Sequence, residues 1–217
     1  MELKIIDKLK KRSHKDLALA HDILIDIIYE VFPNAIFHGG TAVWRCYNGS
    51  RFSDDIDVYL KKEDSKKLDL FKEKLKERKI EIIKFKSTGK DIYSKLSLSS
   101  VEVRFEASLL DIKGKEPIVR PYETLEGNYI NVFTFSPEDL IKEKVDTYLS
   151  RYLARDIYDI YILLNAVERP EKIAASLRRL ISNYKEPKDE DILSSLVFIG
   201  AVPTTKQMLD YIKKWAK

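Results

Sequence analysis

An α/β fold, with a short mixed sheet flanked by helices and followed by a helical carboxyl-terminal region, is what the sequence predicts. Three observations predict it. A helix-periodic apolar stretch ends just before an apolar run that leads into Gly39-Gly40. Residues 55–135 contain several segments that alternate apolar and polar side chains, as half-buried strands do. After Phe135 the composition changes sharply and turns helical. The division that follows is residues 1–135 for the sheet-bearing domain and 136–217 for the helical one.

In chain order, Ser13 is placed to cap a helix through about Phe32, with Leu17, Ala20, Ile23, Leu24, Ile27, Ile28 and Val31 as its apolar stripe. Pro33 and Asn34 stop it. Gly39 and Gly40 lie between the apolar residues Ile36 and Phe37 and the apolar segment 42–44, so they read as a strand-to-helix turn. Asp55 to Leu60 alternates as a strand. Asp64 or Ser65 caps a lysine-rich helix whose Leu68, Phe71 and Leu75 fall at helical spacing. Residues 80–85, 92–98 and 101–109 read as strands, the last with Val101, Val103, Phe105 and Ala107 on one face and Glu102, Arg104 and Glu106 on the other. Residues 117–122 and 129–135 are further extended segments. Ser136 is a good N-cap, Pro137 fits the first helical position, and Glu138 with Asp139 complements the helix dipole. Pro170 starts another helix carrying Arg178 and Arg179, residues 183–191 form a polar loop, and Thr204 or Thr205 starts a last helix through Trp215.

A chain of 217 residues with 44% hydrophobic residues can bury one core or two small ones. Charged residues make up 34% while the net charge is only +4, so both signs are mixed over the surface and polyanion binding requires a local patch. The lone Cys46 excludes an internal disulfide framework and a cysteine-rich zinc site. No apolar run reaches the roughly 18 residues of a membrane span, and the amino terminus has no signal-peptide core, so a cytoplasmic location is expected. His14 and His21 lack partners at metal-ligand spacing and read as surface or helix-edge residues. His38, directly before the glycines, is expected to hydrogen-bond the turn or to touch a nucleotide.

The chemistry is concentrated in residues 37–60. A strand-to-helix glycine turn aims free N–H groups outward, which suits phosphate. On the strand, Asp55 and Asp57 face the same way, about 7 Å apart at roughly 3.3 Å per residue. Two such carboxylates repel and call for a cation. Mg2+ takes one or two protein carboxylates and completes its shell with water and phosphate oxygens, so this pairing points to chemistry on a nucleoside triphosphate, with Mn2+ as an alternative ion. A hairpin with a solvated acidic face is the competing reading. The third carboxylate comes from Glu102 or Glu106, unless these belong to an exposed ladder of ion pairs. Lys144 interrupts an apolar stripe, which is unusual for lysine. On an unbroken helix Lys144, Arg151, Arg155 and Asp159 share one face, either as a site or as a structural network.

These residues resemble the signature of the nucleotidyltransferase superfamily, in particular its AbiEii/AbiGii toxin-like branch. The match runs through Gly39-Gly40-Thr41-Ala42, then Arg51-Phe52-Ser53-Asp54-Asp55-Ile56-Asp57, with threonine where the superfamily has serine. Arg104-Phe105-Glu106-Ala107-Ser108 is similar to the second motif, with arginine where lysine is more usual, and favours Glu106. Lys144, Arg151, Arg155, Asp156 and Asp159 keep the spacing of the later motif. The resemblance covers about residues 36–164. It implies a two-Mg2+ centre on Asp55, Asp57 and Glu106, phosphates held by Gly39, Gly40, Thr41, Ser53 and Lys144, and a nucleotide pocket completed by Arg155, Asp156 and Asp159, or Lys144 oriented by them. It further implies transfer of a nucleoside monophosphate to RNA of the tRNA type, a role as a toxin, and a partner antitoxin. Alternatives are a non-catalytic nucleotide-binding or protein-interaction module, and transfer to a protein side chain. Arg151, Arg155, Arg169, Arg178 and Arg179 are the expected contacts for RNA phosphates.

Overall fold

The computed structural model describes residues 3–109 and 114–217. A short helix α1 (Ile5–Lys8) precedes the long α2 (Arg12–Val31), strand β1 (Ile36–His38) and helix α3 (Gly39–Cys46). Then come β2 (Asp55–Leu60), α4 (Leu68–Glu77), β3 (Glu81–Ser87), β4 (Asp91–Leu98), β5 (Val101–Leu109), β6 (Ile118–Glu123) and β7 (Tyr129–Thr134). The remainder is helical: α5 (Pro137–Arg151), α6 (Ala154–Leu163), α7 (Ala174–Ser182), α8 (Glu190–Leu196) and α9 (Thr205–Trp215). Among the described residues no helix is long and apolar enough to cross a membrane.

The seven strands form one mixed sheet in the order β3-β4-β5-β2-β1-β7-β6. Strand β2 sits centrally, parallel to β5 and antiparallel to β1, so the acidic strand is fixed on both sides. Strict alternation sends Ile56, Val58 and Phe105 into the apolar core. There Phe71 of α4 packs on Phe105 with ring centroids 5.1 Å apart. The other face carries Asp55, Asp57, Tyr59, Arg104 and Glu106.

The hydrophobic core runs without interruption from Leu24 on α2 to Ile212 on α9, crossing residue 135. The carboxyl-terminal region is also tied back to the loop before β2. Phe52 N–H donates to the Leu196 carbonyl at 2.8 Å and Phe198 N–H donates to Ser50 at 3.0 Å.

Several local expectations need correction. Helix α2 begins one residue before Ser13, behind Lys11, and no side chain caps it; the His14 and Lys15 N–H groups close its first turn on the Lys11 carbonyl at 3.2 Å. Asp64 caps a 3-10 turn spanning Lys62–Lys67, accepting from the Lys61 N–H at 3.2 Å, and α4 follows uncapped. His21 is fully buried rather than at the surface, with Nε2 3.1 Å from the Asp54 carbonyl oxygen. His14 stacks on Phe52 at 4.0 Å. The helix expected to carry Lys144 through Asp159 on one face breaks at Tyr152, which adopts a left-handed conformation with φ 55°. After the break α6 restarts with the Ala154 N–H capped by Asp189 at 2.7 Å.

Candidate active site

The glycine turn and the acidic strand are packed against each other. Gly39 has φ +75°, and a Cβ added there would lie 2.1 Å from Oδ2 of Asp57. A Cβ on Gly40 would lie 2.4 Å from Nη2 of Arg51 and 2.7 Å from the Ser53 hydroxyl. Position 39 therefore requires glycine for conformation and contact, whereas a side chain at position 40 would have to displace Arg51 and Ser53. Thr41 is fully buried and its hydroxyl donates to the Asp55 carbonyl at 2.5 Å. That hydroxyl fixes the start of β2, so Thr41 reaches the cleft only through its backbone.

Register brings the carboxylates together. Asp57 lies opposite Glu106 across β2 and β5, and Asp55 lies opposite Arg104. Burial, followed by the charges of Asp55 and Glu106, pushes the Asp57 carboxyl up to about 7. Asp55 and Glu106 are also raised, burial leading in each case. Arg104 Nε pairs with Asp55 Oδ1 at 2.6 Å. Glu102 is drawn away by Lys95 at 2.6 Å, so Glu106 is the glutamate beside the aspartates.

On the opposite wall, Lys144 is buried and its Nζ lies 2.6 Å from Asp159 and 3.9 Å from Asp156. Asp159 also receives Arg51 at 2.6 Å on each carboxylate oxygen. Burial alone would raise Asp159, but Arg51 and Lys144 outweigh it and hold the carboxyl below the usual range. Arg151 forks onto Asp156 at 2.8 and 2.7 Å. Asp156 and Asp159 are fully buried, so they position cations and leave the cleft surface to Lys144, Arg151 and Arg155. Glu143 accepts from Lys115 at 2.6 Å and from the Tyr59 hydroxyl at 3.2 Å. His38 stacks on Tyr59 at 3.9 Å, and burial, then Lys144 and Lys115, pushes its pKa down to about 3, which keeps it neutral.

The resulting cleft, of roughly 370 Å3, is lined by His38, Gly39, Gly40, Ser53 and the acidic face on one side and by Lys144, Thr147, Arg151 and Arg155 on the other. Its volume falls within the ~300–1,000 Å3 of small-molecule sites. Sequence reasoning assigned no role to Arg51, Arg104, Glu143 or Tyr59. Arg51 stands inside the quoted motif and Arg104 beside Glu106, so position marked both, but their partners lie across the fold. Arg178 and Arg179 face elsewhere, the first donating to the Ala216 carbonyl at 3.1 Å and the second pairing with Asp146.

The donor set fits a hard divalent ion. Its oxygens come from three carboxylates sharing one sheet face, and they repel one another in the absence of a cation. Among the described residues, no three of His, Cys, Asp and Glu stand close enough to enclose an ion by themselves. An ion held by one or two carboxylates and completed by water or phosphate does not require that they do.

A model of the AbiEii nucleotidyltransferase toxin of type IV toxin–antitoxin systems matches residues 23–212. The chain belongs to the AbiEii nucleotidyltransferase toxin family. The family match extends well past the motifs, into α9. No curated protein matches the sequence. Among solved structures, the chain is similar to MenT4, a nucleotidyltransferase toxin from Mycobacterium tuberculosis, at TM-score 0.62 and 14% identity, over 94% of this chain and 82% of that one. It is also similar to JHP933 from Helicobacter pylori, at TM-score 0.60 and 18% identity, over 92% and 90%. At these identities the structural likeness shows a shared fold. Membership of the AbiEii family rests on the sequence match.

Proposed function

We propose that the cleft transfers a nucleoside monophosphate from a nucleoside triphosphate to a hydroxyl of RNA, of the tRNA type, and that a cognate antitoxin opposes this activity in the cell. The observation that carries the reading is the juxtaposition of Asp55, Asp57 and Glu106 with the Gly39-Gly40 turn and the opposing Lys144. An acidic face alone would repel a triphosphate. A basic wall alone would bind one without activating an acceptor. Here both line one cleft.

Asp55, Asp57 and Glu106 would hold Mg2+ or Mn2+, two ions in the fullest arrangement. When bound, such ions supply charge neutralisation of the phosphates and acidification of the acceptor hydroxyl. The Gly40 and Thr41 N–H groups at the start of α3 offer hydrogen bonds and the positive end of a helix dipole to phosphate. Lys144 presents its charge to the same space from a position fixed by Asp159. Arg155, whose Nε lacks a hydrogen-bond partner among the described residues, has donor capacity left for a ligand. In the net step the acceptor oxygen bonds to the α-phosphorus, the α–β phosphoanhydride bond breaks, pyrophosphate leaves and the hydroxyl proton passes to solvent.

The test incubates purified protein with Mg2+, each α-labelled triphosphate, and total RNA or total cell protein in separate arms. Label on RNA supports the proposal, and binding of that RNA should weaken steeply as salt rises. Label on protein alone would replace RNA with a protein side chain as acceptor. Nucleotide binding without label on either would leave a binding module.

A further inference from the structure

Among the described residues Arg104 is the one basic side chain in ion-pair contact with the acidic trio, and it approaches from the sheet itself. Its Nε lies 2.6 Å from Oδ1 of Asp55, its register partner on β2. Of the other cations of the cleft, Lys144 and Arg51 are committed to Asp159 and Arg151 to Asp156, while Arg155 acts on Asp55 only at longer range. The trio's mutual repulsion is thus relieved at one corner by a guanidinium.

Two features make that guanidinium replaceable. Its side chain is 45% exposed, far more than Arg51 at 5%. Arg104 also lines a second cavity, with Asp54, Tyr93, Lys95 and Glu102. A rotation of the side chain would carry its charge from Asp55 toward Asp54 without moving the strand, Glu102 being held already by Lys95. A divalent ion on Asp55 would repel a guanidinium only a few ångströms away, so the two compete for the same oxygen.

We propose that Arg104 is a stand-in counter-ion for the divalent metal: it neutralises Asp55 in the metal-free protein and swings toward Asp54 when an ion loads onto Asp55, Asp57 and Glu106. This rests on the metal-binding part of the proposed function. The consequence is an exchange of one cation for another, which keeps the metal-free centre folded and lowers its apparent metal affinity.

The experiment titrates Mn2+ alone into wild type, Arg104→Gln, Arg104→Lys and Asp57→Asn, reading bound Mn2+ by electron paramagnetic resonance and thermal unfolding with and without the ion. Arg104→Gln should bind Mn2+ about 2- to 5-fold more tightly, the factor by which a half-exposed ion pair of ordinary strength competes. Its metal-free Tm should fall while its Mn2+-loaded Tm stays near wild type, and Arg104→Lys should lie close to wild type in both. Unchanged or weaker Mn2+ binding by Arg104→Gln, or an equal fall of both Tm values, would overturn the exchange. Absence of Mn2+ binding by wild type, or binding undiminished in Asp57→Asn, would instead reject the metal site on which the exchange depends.

Discussion

Arg51 grips Asp159 through two parallel contacts, Nε to Oδ1 and Nη2 to Oδ2, both at 2.6 Å and both buried. Arg51 precedes the acidic strand, Asp159 lies on α6, and 108 residues separate them. Because Asp159 also holds Lys144, this pair sets the distance between the acidic and basic walls of the cleft.

Removing one partner of a buried pair leaves an uncompensated charge. Asp159→Asn should therefore cost about 3–5 kcal/mol in urea unfolding, since it strands both Arg51 and Lys144. A loss below about 1 kcal/mol would show that the walls are held by packing alone.

Lys144→Ala leaves Asp159 with Arg51, so its stability cost should be smaller than that of Asp159→Asn. Its triphosphate Kd should rise about tenfold or more, the effect of one lost charge-assisted contact of roughly 1.5–3 kcal/mol. Equilibrium binding of a non-hydrolysable triphosphate checks this, and normal affinity would place the phosphates away from α5.

Asp57→Asn should abolish transfer while metal-free stability stays level or rises by about 1 kcal/mol, because it removes a carboxylate that burial, Asp55 and Glu106 all disfavour in its charged form. Asp55→Asn should gain less, since it also loses Arg104. A marked fall in the metal-free Tm of Asp57→Asn would assign Asp57 to a structural network.

Gly39→Ala should lose transfer, because the new Cβ would meet Asp57 and the backbone there favours glycine. Retained transfer in a folded variant would separate the turn from the chemistry.

His21 supplies a pH dependence. Burial, then Arg45, pushes its pKa down to about 3, against an ordinary value of 6.5 in the unfolded chain. The folded state favours the neutral ring, so its contribution is present above pH 6.5 and is lost on acidification, at roughly 1.4 kcal/mol per pH unit between 6.5 and 3. His38 acts in the same direction and Asp57 in the opposite one, so comparison with His21→Gln isolates the contribution. The stability gap between the two proteins should narrow from pH 7 to pH 4.5, and a constant gap would contradict a neutral buried His21.

The strands were legible because period-2 patterning and the serine turn at 99–100 are local; residues 101–109 appear as a strand with the expected faces. The motif pointed to Glu106 over Glu102, and the register that sets Glu106 opposite Asp57 became visible only in the sheet. What local patterning could not show was where charges meet. Lys144 and Asp159 converge across two helices and a left-handed Tyr152, although spacing suggested one continuous helix. His21 carried no sign of burial, since its shielding depends on Trp44 and Asp54, distant in the chain. Arg178 and Arg179 looked free in sequence, but one contacts a carbonyl of the last residues and the other a carboxylate of α5.

The most direct test of the central claim is the rate of label transfer from an α-labelled triphosphate to RNA, measured for wild type, for wild type with a chelator, and for Asp57→Asn. A metal-dependent transferase centred on Asp57 gives Mg2+-dependent labelling by wild type, none above background with chelator, and none with the folded Asp57→Asn protein. Labelling of RNA by Asp57→Asn at the wild-type rate would contradict that claim.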